Sequence, residues 1–320
     1  MYNTLMDEKQ GTFKTVNTGL MPSSGGFALS LTTIGNLVVT IILFGIIQAF
    51  SIKQKSDGYL YLSYIAPQVA IAIGVALSMK LRKLPFKETF PVKCSPKYYL
   101  IAIMLIFGLL FSLGKIAGPI ADFFEFIGYS TRQADDILPD LSGGLVVPAL
   151  LVIGLLPAIF EESLFRGVIL RSCERECGTL FSVLLVGMSF SLYHTAPEQT
   201  VYQFFAGCVF AFIAVRSGSV LPSVVMHFIN NSLIVIFGAC GLLDAEGNLI
   251  LPFALDLSLA IVGGLCLAGG LVWLILDKKA VPYKKAGTGA VNSFFITASV
   301  GIAILAILWI STFVSGFFPQ

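Results

Sequence analysis

Charge is scarce in this chain. Asp, Glu, Lys and Arg make up 12% of its 320 residues, about half the share of a soluble domain, which is roughly a quarter. The net charge is only +2, so the composition argues against a nucleic-acid partner. Cysteine is limited to Cys94, Cys173, Cys177, Cys208, Cys240 and Cys266. None forms a C-x-x-C pair, and they read as reduced packing thiols rather than a metal site. Histidine occurs twice, and no H-E-x-x-H is present, so the common signature of soluble zinc proteases is missing. No strand-length alternation recurs, which excludes a membrane β-barrel. No internal repeat is visible, which weighs against an inverted-repeat transporter. No short apolar core with a small-residue cleavage site precedes the first long apolar run. Residues 1–27 are therefore expected to be a polar tail that stays on the chain.

Apolar sequence fills the space that charge leaves. The chain is 56% hydrophobic, with a mean hydropathy of +0.89. A membrane-spanning helix takes about 20 mainly apolar residues. Such runs fall near 28–50, 59–79, 98–119, 145–175, 178–194, 200–215, 219–242, 252–276 and 291–316. The expected fold is all-α, a polytopic bundle of about 8–9 spans. Residues 28–144 form its first helices and loops, 145–245 a central unit, and 250–320 the last helices. The linker 80–97 is basic, and the one from about 120 to 143 is acidic, with Asp122, Glu125, Asp135, Asp136 and Asp140 against Arg132. Lys and Arg bias sets orientation. With the N-terminus in the cytoplasm, sixteen of the 20 basic residues, including Lys9, Lys284 and Lys285, belong to inner segments. An integral protein of the cell membrane, in contact with the lipid bilayer, is the expectation.

Against that background a few polar residues are conspicuous. Glu161-Glu162-Ser163-Leu164-Phe165-Arg166, Phe190-Ser191-Leu192-Tyr193-His194 and His227-Phe228-Ile229-Asn230-Asn231 all lie within or at the ends of apolar runs. An ionised side chain at the centre of a bilayer costs about 2.5–3.5 kcal/mol even on a favourable scale. Groups kept there usually serve a site. Glu162 and Arg166 are i, i+4 on one helix face, so each lowers the other's cost. Glu161, about 100° round the helix, is left to face something else. His227 and Asn231 are also i, i+4 and project into one cleft. Phe190, one turn before His194, reads as packing, and Gln68 beside Pro67 as a scattered polar group without a nameable partner.

The three motifs meet only if the fourth helix runs on past the glutamates. No Pro or Gly-Gly breaks it before about Glu176. At about 1.5 Å per residue, Glu161 and Glu162 then lie about 20 Å from the inner end, His194 about 24 Å, and His227 and Asn231 about 12 and 18 Å. All fall within a hydrocarbon layer about 30 Å thick.

At these residues the chain resembles the CPBP family, the CAAX proteases and bacteriocin-processing enzymes that include the type II CAAX prenyl endopeptidases. The pattern of that family is E-E-x-x-x-R, then F-x-x-x-H, then H-x-x-x-N or H-x-x-x-D, on successive membrane helices. All three stand here in order, over roughly residues 145–245. The resemblance implies that Glu161 and His194 activate the attacking water, that His227 and Asn231 stabilise the oxyanion, and that Glu162 and Arg166 support them. The cofactor it implies is none or zinc. With zinc, Glu161, His194 and His227 would supply three ligands, enough for a catalytic site with an open position. Without it, a desolvated Glu161 would serve as base, and this is the version the reading favours.

The expected function is an intramembrane endopeptidase acting on a peptide or protein substrate in the membrane. Two other classes use the same buried ionisable residues: a proton-coupled transporter, and a non-catalytic membrane partner such as an immunity or regulatory protein.

Overall fold

The computed structural model describes residues 3–7, 12–16, 19–130, 138–244, 247, 249–283 and 290–318. Lys9, Arg132, Asp135, Asp136, Lys284 and Lys285, which entered the charge reading, lie outside the described residues. An antiparallel hairpin of β1 (Asn3–Asp7) and β2 (Thr12–Val16) precedes a helical bundle. Its long helical segments among the described residues are α1 (Pro22–Ala49), α2 (Asp57–Leu81), α3 (Lys97–Phe126), α4 (Gly143–Cys173), α5 (Thr179–Tyr193), α6 (Thr200–Ser217), α7 (Leu221–Ala239), α8 (Phe253–Leu276) and α9 (Ala290–Ser315). All but α5 are long and apolar enough to cross a membrane. The bundle is all-α and polytopic, as the apolar runs require.

Two departures from the sequence reading bear on the site. The first helix begins at Pro22, inside the stretch read as tail. Proline suits a first helical turn, where its missing N–H is not needed. Gly25 and Gly26 let that turn approach α4 and α9 closely, since a Cβ on Gly26 would overlap the Phe294 carbonyl. The second difference is α5. The run at 178–194 reads as a full span, but α5 has 15 residues, about 22 Å, and ends at His194. Thr195 then takes a left-handed φ of 48°, and Pro197 opens a short turn into α6.

Successive helices alternate in direction, and side-chain bonds tie the two ends of the bundle. At the basic end Arg175 pairs with Glu88 at 2.9 Å, and Lys97 with Asp277 at 2.5 Å. There Arg216 donates to the carbonyls of Leu274 (2.9 Å), Asp277 (3.0 Å) and Val281, which caps the C-terminus of α8. At the opposite end Asp57 accepts from the Asp140 amide at 2.9 Å, Lys115 pairs with Asp256, and the Tyr129 hydroxyl meets Glu198 at 3.3 Å.

α4 runs through the middle, packed by α1, α2, α5, α6 and α7. Its residues Leu164, Phe165, Val168, Ile169 and Leu170 are fully buried, in one core with Leu29, Ile71, Val186 and Phe190. Residues such as Ile41, Phe44, Leu265 and Ile296 point outward, as a lipid-facing surface requires.

Candidate active site

α4 continues unbroken from Gly143 to Cys173, past the glutamates, as the meeting of the three motifs requires. Two stretches of it, Leu150–Leu155 and Ser163–Ile169, are π-helical. Such widened turns are frequent at functional sites, and here they flank the glutamate pair on both sides.

Glu162 and Arg166 are the most deeply buried charges of the group, with no exposed side-chain surface and an Nη1–Oε1 distance of 2.8 Å. The guanidinium also donates to the Gly207 carbonyl at 3.0 Å. It lies over the rings of Phe190 and Phe210, 4.6 and 5.1 Å from their centroids. That carbonyl is within reach because α5 and α6 touch through glycine. A Cβ on Gly207 would come within 2.9 Å of the Gly187 Cα.

Glu162 has a second partner. His227 Nδ1 lies 2.9 Å from the same Oε1. The acceptor is a carboxylate already paired with Arg166, so Nδ1 carries the proton and donates. The other ring nitrogen, Nε2, faces Glu161 Oε2 at 3.9 Å. His194 is fixed in the same sense. Its Nδ1 lies 2.8 Å from the Phe190 carbonyl, which can only accept, so Nδ1–H donates and Nε2 carries the lone pair. Phe190 thus does two jobs the sequence reading merged into packing. Its carbonyl sets the His194 tautomer, and its ring lies against both imidazoles, at 4.6 and 6.0 Å between centroids.

Glu161 stands apart from the Arg166 pair, as its place on the helix predicts. Its Oε1 accepts from Gln68 Nε2 at 2.9 Å, while Oε2 is buried without a hydrogen-bond partner among the described residues. Asn231 donates its Nδ2 to the Ile153 carbonyl, in the first π-helical stretch, and accepts from Asn230 Nδ2, each at 3.0 Å. One Asn231 N–H is therefore spoken for and the other is left for a ligand.

Glu161, His194 and His227 have the donor types that zinc takes. Among the described residues no three His, Cys, Asp or Glu side chains are grouped so that they could hold a metal. The described cysteines are all free thiols. Gln68 was missed as a site residue because its partner lies 93 positions away, a separation no local pattern reports.

Residues 143–233 match a family model described as Type II CAAX prenyl endopeptidase Rce1-like. The matched segment holds all three motifs. No curated protein and no solved structure matches the chain.

Proposed function

We propose that the protein is an intramembrane endopeptidase that hydrolyses a peptide bond of a membrane-associated or hydrophobic peptide. The observation that carries this reading is a buried carboxylate oxygen, Glu161 Oε2, that has no hydrogen-bond partner among the described residues and lies 3.9 Å from Nε2 of His227, in a site whose second imidazole is His194. Each imidazole is locked from behind through Nδ1. Water placed between Glu161 Oε2 and His194 Nε2 meets two acceptors. Glu161 takes its proton, the hydroxide oxygen bonds to the scissile carbonyl carbon, and negative charge moves to the carbonyl oxygen. The C–N bond then breaks as Glu161 passes that proton to the departing amine.

The oxyanion is met by Asn231 and His227. Asn231 keeps one N–H for it. His227 donates from Nε2 only when it carries both ring protons, and the Glu162 carboxylate on Nδ1 is placed to stabilise that cation, as the buried aspartate does in a serine-protease triad. Glu162 is in turn held by Arg166. The hydrolytic groups therefore form one chain of contacts, Arg166–Glu162–His227, ending opposite Glu161. The family resemblance makes a peptide with a prenylated C-terminal cysteine motif one substrate within this class.

The test compares the membrane peptides of cells carrying wild-type protein with those carrying Glu161→Gln. General-base catalysis contributes typically about 10²–10⁴-fold, so a peptide that accumulates in the variant at unchanged protein level is expected. Cleavage at the wild-type rate by Glu161→Gln would remove the assignment. Solute-coupled flux in proteoliposomes would favour a carrier.

A further inference from the structure

Outside the matched segment, among the described residues, Gln68 reaches the candidate site. Gln68 sits in the middle of α2, is 4% exposed, and donates Nε2–H to Glu161 Oε1 at 2.9 Å. The orientation of its amide follows from chemistry, since a carboxylate can only accept. We propose that Gln68 is a positioning residue for the general base. By occupying Oε1 it fixes the carboxylate plane and directs the proton acceptor, Oε2, toward the histidines. This deepens the reading of the site and rests on Glu161 being the base.

Three observations separate this from ordinary helix glue. First, a hydrogen bond made only to join two helices would go anywhere along α4, and this one goes to the carboxylate next to His227. Second, Gln68 Oε1 and Glu161 Oε2 are both buried without a hydrogen-bond partner among the described residues. A purely structural amide buried in an apolar bundle is expected to satisfy its acceptor as well as its donor. Here each partner of the bond keeps one open acceptor, at a site whose co-substrate, water, is a donor. Third, Pro67 precedes Gln68 and supplies no N–H to the Ser63 carbonyl, so the helix turn carrying Gln68 lacks one backbone hydrogen bond.

The experiment uses full-length protein in detergent and a quenched-fluorescent copy of the peptide that accumulates in Glu161→Gln membranes. Gln68→Met keeps the volume and removes the donor. A hydrogen bond to a charged group is worth enough to predict a kcat lower by about ten- to a hundredfold, with KM within about twofold. Gln68→Asn keeps an amide in the membrane but draws it back by one methylene. It should lose kcat in the same way, and it covers the case in which Gln68→Met does not fold. The decisive measurement is the double variant. If Gln68 acts through Glu161, Gln68→Met costs nothing further on the Glu161→Gln background, whereas a structural role multiplies the two losses. Wild-type kcat in both Gln68 variants, or a full additional loss in the double variant, overturns the positioning role while leaving Glu161 in place. Wild-type cleavage by Glu161→Gln, or no peptide that distinguishes the two proteins, overturns the reading of the site and this assignment with it.

Discussion

At the scale of single residues, the buried charges have unequal tasks. Glu162 accepts from two partners on one oxygen, Arg166 at 2.8 Å and His227 at 2.9 Å. Removing one member of a buried pair strands the other, at about 3–5 kcal/mol. Glu162→Gln and Arg166→Met should therefore both lower the melting temperature in detergent, and the double variant should recover much of it. Activity should stay lost in the double variant, because His227 no longer has a carboxylate behind it. Single variants as stable as wild type would show that the pair contributes nothing to the fold. Asn231 separates binding from chemistry. An oxyanion donor is worth about 10²–10³ in rate, so Asn231→Ala should lower kcat with little change in KM. A rise in KM alone would make it a substrate-binding residue. The donor set also carries an expectation about metal. Purified active protein should hold well under one zinc per chain, and strong chelators should leave cleavage intact. Stoichiometric zinc that leaves and returns with activity would make His227 a ligand.

At the scale of elements, the site depends on how closely α5 and α6 approach. Arg166 reaches across to the Gly207 carbonyl, and it can do so because neither Gly187 nor Gly207 has a Cβ. One on Gly187 would overlap the Cys208 sulfur and lie 2.9 Å from the Phe204 carbonyl. Overpacking a tight contact costs typically about 1–3 kcal/mol. Gly207→Ala should destabilise by that order and reduce activity through both Arg166 and His194. Gly45→Ala on α1 is the matched control. Nothing lies within 4 Å of a Cβ there, and alanine is the better helix former, so its melting temperature should be equal or higher. Equal effects at the two positions would mean that the α5–α6 contact does not hold the site.

At the scale of the molecule, Asp277 joins α3 to α8 at the basic end. Asp277, just past α8, accepts from Lys97 at 2.5 Å and from the Tyr98 hydroxyl at 3.0 Å, both at the start of α3. The Lys97 hydrogen bond, with help from the Lys279 amide, holds its carboxyl below the usual aspartate value of 3.8. A depressed folded value means the stabilisation is present above pH 3.8 and is lost as the pH falls through the lowered value. Asp277→Asn should thus melt lower than wild type at pH 7, and the gap should close as the pH drops below about 4. A constant gap across that range would show that the ionised carboxylate is not what joins α3 to α8.

The sequence determined the fold class of this protein and picked out the buried polar groups of the candidate site. Scarcity of charge and runs of about 20 apolar residues permit little besides a helical bundle in lipid. Costly polar groups in those runs mark themselves by position. The i, i+4 spacing of Glu162 and Arg166 fixed their pairing, because neighbours on one helix face are set by helix geometry alone. Distance along the chain is what hid the rest. The bonds from His227 to Glu162, from Asn231 to Ile153 and from Gln68 to Glu161 span 65, 78 and 93 positions. They exist only because α4 runs through the centre of the bundle with α2 on one side and α7 on the other. The shortness of α5 was hidden for a different reason: its apolar composition continues to His194, and only the backbone at Thr195 and Pro197 ends it. Which nitrogen of each histidine faces the reacting groups was likewise a tertiary decision, since the tautomer is set by the partner behind the ring.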